Sequence, residues 1–193
     1  MTIKPTRVAL AIVSLFPLLS GCGGGGDAGD TPAPAKKLEV TAIDGYLRHA
    51  QVWLDLNRNQ LLDDDEPAAE TGDGGKATLD VSAIAGSVGD YPMMGRVIAG
   101  KTIDEDHPEQ VLARDYLMSA PGGYRVITPL TTLLAVQVSN GQPLAAAEQT
   151  LRDQLSQPNA VLNGDYLAND DVLLAASARL LADLLPTDAS EMA

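Results

Sequence analysis

The prediction of the fold begins with residues 52–66, VWLDLNRNQLLDDDE, in which three apolar residues lead directly into a loop rich in Asp and Asn. An apolar run that ends in turn-forming residues is typical of a strand followed by a loop. Upstream, Leu38, Val40 and Ala42 alternate with polar residues, which is the period of a half-buried strand. Further short strands are predicted over 68–71, 77–81, 96–99, 116–120 and 124–128. We therefore expect a small antiparallel β-sandwich, with its last two strands forming a hairpin around Pro121-Gly122-Gly123.

The loop at 55–66 carries the most specific chemical signal in the chain. Oxygen-bearing side chains occupy its first, third, fifth, ninth and twelfth positions: Asp55, Asn57, Asn59, Asp63 and Glu66. Calcium takes about six to eight oxygen ligands, and alternate residues of a tightly curled loop direct their oxygens at one centre. The backbone carbonyl of Leu61, at the seventh position, completes the ligand set. The spacing is that of an EF-hand-type loop and predicts Ca²⁺ as the cofactor.

The loop departs from the calcium pattern at its sixth position. Gln60 stands where a Gly normally permits a positive φ angle, and this difference is expected to weaken or distort the site. The flanking segments alternate as strands do, so the loop need not belong to an EF-hand. An acidic loop without a metal is the alternative, because Asp and Asn are common in turns.

A longer pattern surrounds this loop. It comprises Ala42-Ile43-Asp44-Gly45-Tyr46-Leu47, then the segment from Ala50 to Asn59, Glu66-Pro67, Thr71 and Gly75. Together these residues resemble the prealbumin-like modules of bacterial surface proteins, which include collagen-adhesin B-type repeats and carboxypeptidase regulatory-like domains. The resemblance implies a prealbumin-like sandwich whose loop binds calcium and is stiffened by it.

The last third of the chain is predicted to be helical. Thr128-Pro129 supplies a capping residue followed by Pro at the first helical position. Helices are predicted over 129–139, over 142–154, and from a cap at Asn169 or Asp170 to Pro186. The third helix carries apolar residues on one side: Val172, Leu173, Ala176, Leu180 and Leu184. Three amphipathic helices are expected to form a bundle or to cover the sandwich.

The N-terminal residues have the pattern of an export signal. Lys4 and Arg7 precede an apolar segment over 8–20 that is too short to span a bilayer comfortably. Leu19-Ser20-Gly21-Cys22 resembles the lipobox of bacterial lipoproteins, which implies lipidation at Cys22. Gly23, where Asp would favour inner-membrane retention, implies an outer-membrane location on its periplasmic or extracellular face. The alternative is an ordinary secretory signal with an incidental Cys.

The composition excludes several functional classes. The 193 residues contain 13 Lys and Arg against 26 Asp and Glu, a formal charge of −13, which opposes binding to nucleic acid. A single Cys excludes an internal disulfide and a Cys-based zinc site. No nucleophile and base pair, phosphate-binding loop or dinucleotide fingerprint is visible, so the chain is not expected to be an enzyme.

The expected architecture is α+β, a small antiparallel prealbumin-like β-sandwich followed by a short helical C-terminal region. Four segments are predicted: a lipoprotein signal peptide over 1–21, a flexible linker over 22–37, a β module with the calcium-type loop over 38–128, and a helical region over 129–193.

The expected function is that of an outer-membrane-anchored lipoprotein with a structural or adhesive module stiffened by calcium. Its expected partners are the membrane, through the lipid anchor, and an envelope or extracellular ligand. One alternative is an envelope lipoprotein that binds a polysaccharide or peptide, which an exposed aromatic platform around Trp53 and Tyr46 would favour. Another is that the chain is the N-terminal part of a larger envelope protein.

Overall fold

Strands precede helices in the computed structural model, which describes residues 35–192. The strands are β1 Lys37–Ala42, β2 Leu47–Arg48, β3 Gln51–Leu54, β4 Ala68–Glu70, β5 Lys76–Asp80, β6 Met93–Val97, β7 Ile103–Asp104, β8 Tyr116–Ala120 and β9 Val126–Ile127. The helices are α1 Pro129–Ser139, α2 Leu144–Gln154 and α3 Val172–Ala182. The fold is therefore α+β, as the sequence predicts. Across these residues, each helix is too short or too polar to traverse a bilayer.

The longer strands form two sheets, with the orders β5-β1-β9 and β4-β3-β6-β8, and β2 pairs with β7. Residues 38, 40 and 42 of β1 are buried, which confirms the alternation read from the sequence. The predicted hairpin over 116–128 is wrong. β8 pairs with β6, whereas β9 pairs in parallel with β1. The turn between them packs against another segment, since a Cβ atom on Gly122 would lie 2.4 Å from the Gly89 carbonyl oxygen, and the chain crosses there to the other sheet.

Hydroxyl groups fasten α1 to the sheet. Thr128 caps the helix, and its side-chain oxygen accepts the Thr131 N–H. The Thr131 hydroxyl donates to the Ser119 carbonyl at 2.8 Å, and the Thr132 hydroxyl accepts the Ser119 N–H at 2.9 Å. The first turn of α1 is thereby fixed against β8, and Leu130 and Leu134 enter the main core.

A second apolar cluster lies on the other face of the four-stranded sheet. Met94 is opposite Trp53 on one side and Ser119 on the other, and directly opposed residues share a face. Trp53, Met94 and Leu117 pack there with Met192 from the C-terminal segment. The Leu117 N–H donates to the Pro186 carbonyl at 2.8 Å. The C-terminal segment therefore contacts this face, and so does the acidic loop, whose Leu61 carbonyl accepts the indole N–H of Trp53.

The apolar side predicted for α3 faces solvent. Val172, Leu173 and Leu180 are between 66 % and 78 % exposed, and Leu184, which follows the end of α3, is 79 % exposed. Leu174 and Ala178 are the buried residues of α3 instead. The helix is apolar on nearly every side, so its spacing did not identify the side that packs.

Candidate functional site

The acidic loop connects β3 to β4 and is closed at its base by backbone hydrogen bonds. The Leu54 N–H donates to the Pro67 carbonyl at 3.0 Å, and the Asp55 N–H donates to the Pro92 carbonyl at 3.1 Å. The first loop residue is thus held by β3 and by the segment that precedes β6. Residues 55–66 therefore lie between two strands that pair with each other, which favours a defined geometry.

Asp55 is a fully buried carboxylate. It accepts the N–H groups of Asn59 at 3.1 Å and Gln60 at 2.9 Å. Burial raises the pKa of Asp55, and these backbone hydrogen bonds oppose the rise. Among the ion pairs formed within residues 35–192, none involves Asp55. A buried carboxylate without a counter-charge is costly, and a bound cation would reduce that cost.

Three further predicted ligands lie in one hydrogen-bonded group. The Oδ1 atoms of Asn57 and Asn59 accept the N–H groups of Asn59 and Leu61, at 3.0 Å and 2.8 Å. The two amide nitrogens donate to Asp63 Oδ2, at 2.7 Å and 2.8 Å. The structure therefore brings the side chains of the third, fifth and ninth positions together, and each Oδ1 keeps acceptor capacity.

Glu66 closes the loop from its last position. Its Oε1 atom accepts the Leu56 N–H at 2.7 Å, and its Oε2 atom accepts the Asp63 N–H at 3.2 Å. Glu66 is buried, so its carboxylate lies inside the curl of the loop. Both of its oxygens are engaged with backbone groups that the loop itself supplies.

The loop backbone turns sharply although it lacks the expected glycine. Gln60 has a φ angle of +64° and Arg58 one of +62°. A left-handed conformation costs a residue with a Cβ atom about 1–2 kcal/mol. Gln60 therefore takes the conformation that the Gly of the calcium pattern takes, at a cost in stability that Gly would avoid.

Leu61 is held to the sheet through its backbone. Its carbonyl oxygen, the predicted seventh-position ligand, accepts the indole N–H of Trp53 at 3.1 Å. A carbonyl oxygen has a second lone pair, so this contact leaves it able to accept another partner. Trp53 is only 2 % exposed, and the Tyr46 hydroxyl donates to Asp165. Trp53 is thus not part of an exposed aromatic platform.

The donor set fits a hard cation such as calcium in its chemistry. It contains carboxylate, amide and carbonyl oxygens, which Ca²⁺ prefers. Within residues 35–192, no three side chains drawn from His, Cys, Asp and Glu lie close enough together to hold a metal ion. The loop can thus bind calcium only if the Asn side chains and the Leu61 carbonyl serve as ligands. This dependence makes the Asn57 and Asn59 oxygens essential to the site.

A partly buried carboxylate outside the acidic loop was not predicted as a site. Asp44 follows β1, and burial raises its pKa from 3.8 to about 7. The Tyr116 hydroxyl donates to Asp44 Oδ2 at 2.8 Å, whereas Oδ1 is buried without a hydrogen-bond partner among the described residues. Asp104 is adjacent, since a Cβ atom on Gly45 would lie 1.7 Å from its Oδ1 atom. In the sequence, Asp44-Gly45 has the pattern of an ordinary turn, so nothing there indicated a buried acid.

Cys22, the signal segment and most of the linker lie outside the described residues 35–192. Their assignment continues to depend on the sequence pattern. No family model, curated protein or solved structure matches the chain.

Proposed function

We propose that this chain is a lipoprotein of the outer membrane whose β module is ordered by calcium and has a structural or adhesive role. In this proposal Cys22 carries the lipid, and the β module belongs to the prealbumin-like class. The calcium ligands are Asp55, Asn57, Asn59, Asp63 and Glu66 with the Leu61 carbonyl.

The observation that supports calcium binding most directly is the burial of the Asp55 carboxylate. Its carboxylate is buried without an ion-paired cation among the described residues and accepts the Asn59 N–H, and the side chains of Asn57, Asn59 and Asp63 form one hydrogen-bonded group in the same loop. Calcium bound there would neutralise this charge and join the start of the loop to its end. Because calcium would bind the folded loop better than the unfolded chain, it would stabilise the module by mass action.

Thermal unfolding tests the proposal, using the chain from Gly23 onward. This start retains Lys36, whose carbonyl accepts the Val81 N–H at 2.8 Å. At about one hundred times its Kd, calcium should add about 2.7 kcal/mol. That gain corresponds to a rise in Tm of roughly 5–10 °C for a chain of this size.

The double variant Asp55→Ala, Glu66→Ala should lose the calcium-dependent rise in Tm. The matched control is Asp64→Ala, Asp65→Ala, which removes the same charge from two exposed residues outside the ligand positions. The control should keep the rise. A Tm that millimolar calcium leaves unchanged in the parent, or raises equally in both double variants, contradicts the calcium site.

A further inference from the structure

A cavity of about 410 Å³ lies beside the acidic loop. Asp55 and Gln60 line it from the loop, Met94 and Ser119 from the sheet, and Val136 from α1. This is the sheet face opposite the main core. The volume is within the range of sites that enclose small ligands, and such sites combine an apolar lining with a few polar groups.

Ser119 gives the cavity a polar group without a partner. The residue is 3 % exposed, and its Oγ atom has no hydrogen-bond partner among the described residues. Its backbone groups are occupied by the hydroxyls of Thr131 and Thr132. Buried polar side chains are nearly always hydrogen-bonded, so an unpaired hydroxyl in the wall of a cavity indicates a missing partner. A ligand with an amide or hydroxyl group would supply it.

Opposite charges also line the cavity. The Arg58 guanidinium donates to the Asp90 backbone carbonyl at 3.0 Å, which places the two residues side by side. Both are exposed and both line the cavity. Neither side chain forms an ion pair within residues 35–192. Arg58 thus lines the cavity together with the carboxylates of Asp55 and Asp90, and opposite charges beside an apolar wall complement a ligand that carries both charges.

We propose that this cavity binds a short aliphatic peptide with free termini. Its carboxylate pairs with Arg58, its ammonium group pairs with the Asp90 carboxylate, and a peptide group hydrogen-bonds to the Ser119 hydroxyl. Its aliphatic side chains pack against Met94 and Val136. The site does not require calcium, although Asp55 and Gln60 belong to both the loop and the cavity wall.

Titration calorimetry with Ala-Leu-Ala and a panel of other aliphatic di- and tripeptides tests the proposal, using the chain from Gly23 onward without calcium. At millimolar peptide the parent should bind. Amidation of the carboxylate should weaken binding about tenfold, because it removes the charge-assisted contact with Arg58. In Arg58→Gln the free and amidated peptides should bind equally.

Two variants test whether the peptide binds in this cavity. Ala135→Phe adds a ring to the α1 side of the cavity wall and should abolish binding, whereas Ala145→Phe, at an exposed position of α2, should not. Ser119→Ala should weaken binding about fivefold while its Tm stays at or above that of the parent, since it removes an unpaired buried hydroxyl. A Ser119 with a merely structural role would lower Tm and leave affinity unchanged.

Two results overturn the proposal. One is that no peptide of the panel binds to the parent at millimolar concentration. The other is that Ala135→Phe, folded as judged by a parent-like Tm, binds as the parent does. The calcium-dependent rise in Tm is measured on the same samples. A calcium-dependent rise in Tm that persists in Ala135→Phe shows that calcium binding does not depend on peptide binding.

Discussion

Asp55 and Asp44 are both withdrawn from solvent, fully at Asp55 and in part at Asp44, and their surroundings differ. Asp55 lies inside a loop that directs backbone N–H groups at both of its oxygens. Asp44 receives one hydrogen bond, from Tyr116, and its other oxygen has no partner among the described residues. Hydrogen bonds to a carboxylate favour its charged form, and burial without them favours the neutral form. Burial raises the pKa of both carboxylates, and the comparison teaches that the backbone donors around Asp55 oppose a rise that at Asp44 only the Tyr116 hydroxyl opposes by a hydrogen bond.

The largest effect is expected from Asp44→Asn at alkaline pH. The pKa of Asp44 is raised by burial from 3.8 to about 7, so the folded state holds a proton that the unfolded state releases between these values. Stability from this group is therefore present below about pH 4 and is lost as the pH rises to about 7. Asp44→Asn should remove the loss and stabilise the protein at pH 8 by at most roughly 4 kcal/mol.

Urea unfolding at pH 4, 6 and 8 measures this effect. The exposed Asp64→Asn provides a control with the same change in charge. Asp44→Asn should differ from the parent at pH 8 and match it at pH 4. An unchanged pH dependence in Asp44→Asn would show that Asp44 does not hold the proton.

Asp55→Asn is expected to alter the free energy of unfolding chiefly when calcium is present. Without calcium the substitution removes a buried charge whose pKa is raised by burial, but it also removes the acceptor of one of two backbone N–H groups, so these opposed effects should leave stability at pH 8 little changed. With calcium at about one hundred times its Kd, the parent should gain about 2.7 kcal/mol that the variant lacks. Urea unfolding with calcium and with a chelator measures the stability of both proteins in the two conditions. Asp44→Asn, which calcium should not affect, is the control, and a calcium response that persists in Asp55→Asn contradicts the role of Asp55.

The smallest effect is expected from Gln60→Gly. Gly removes the strain of a φ angle of +64° but adds entropy to the unfolded chain. The expected net gain is about 0.5 kcal/mol. Ser156→Gly is a matched control, because Ser156 has a φ angle of +56° far along the chain from the loop. Both variants should gain stability, but only Gln60→Gly should change the calcium affinity.

The parts of the fold that local signals determine could be predicted from the sequence. The alternation in β1 and the Thr128-Pro129 start of α1 depend on a few neighbouring residues, and the structure has both. Strand pairing was not predictable in this way. β8 pairs with β6 and β9 pairs with β1, and both pairings join residues that are distant in sequence. A Gly-rich turn between two strands permits a hairpin and equally permits a crossing to another sheet.

The candidate sites likewise differ in whether neighbouring or distant residues form them. The ligand spacing at 55–66 is local, and of the side chains it predicted as ligands the structure joins Asn57, Asn59 and Asp63 by hydrogen bonds. The cavity is formed by segments distant in sequence, and no motif joins Arg58, Ser119 and Val136. Asp44 was missed because burial, which changes its chemistry, depends on Tyr116 and Asp104 rather than on its neighbours. α3 was misjudged because its sides are nearly equal in hydrophobicity.

The position of β1 has a mechanical consequence if the linker is tethered as proposed. β1 is the first strand of residues 35–192, and it lies between β5 and β9 rather than at an edge. Tension transmitted along β1 loads the hydrogen bonds to both neighbours in parallel, because those bonds run across the strand. Strands loaded in this shearing direction must break their bonds together, whereas an edge strand pulled sideways releases them one at a time. A tether at this point would therefore let the module resist a steady pull on its membrane attachment.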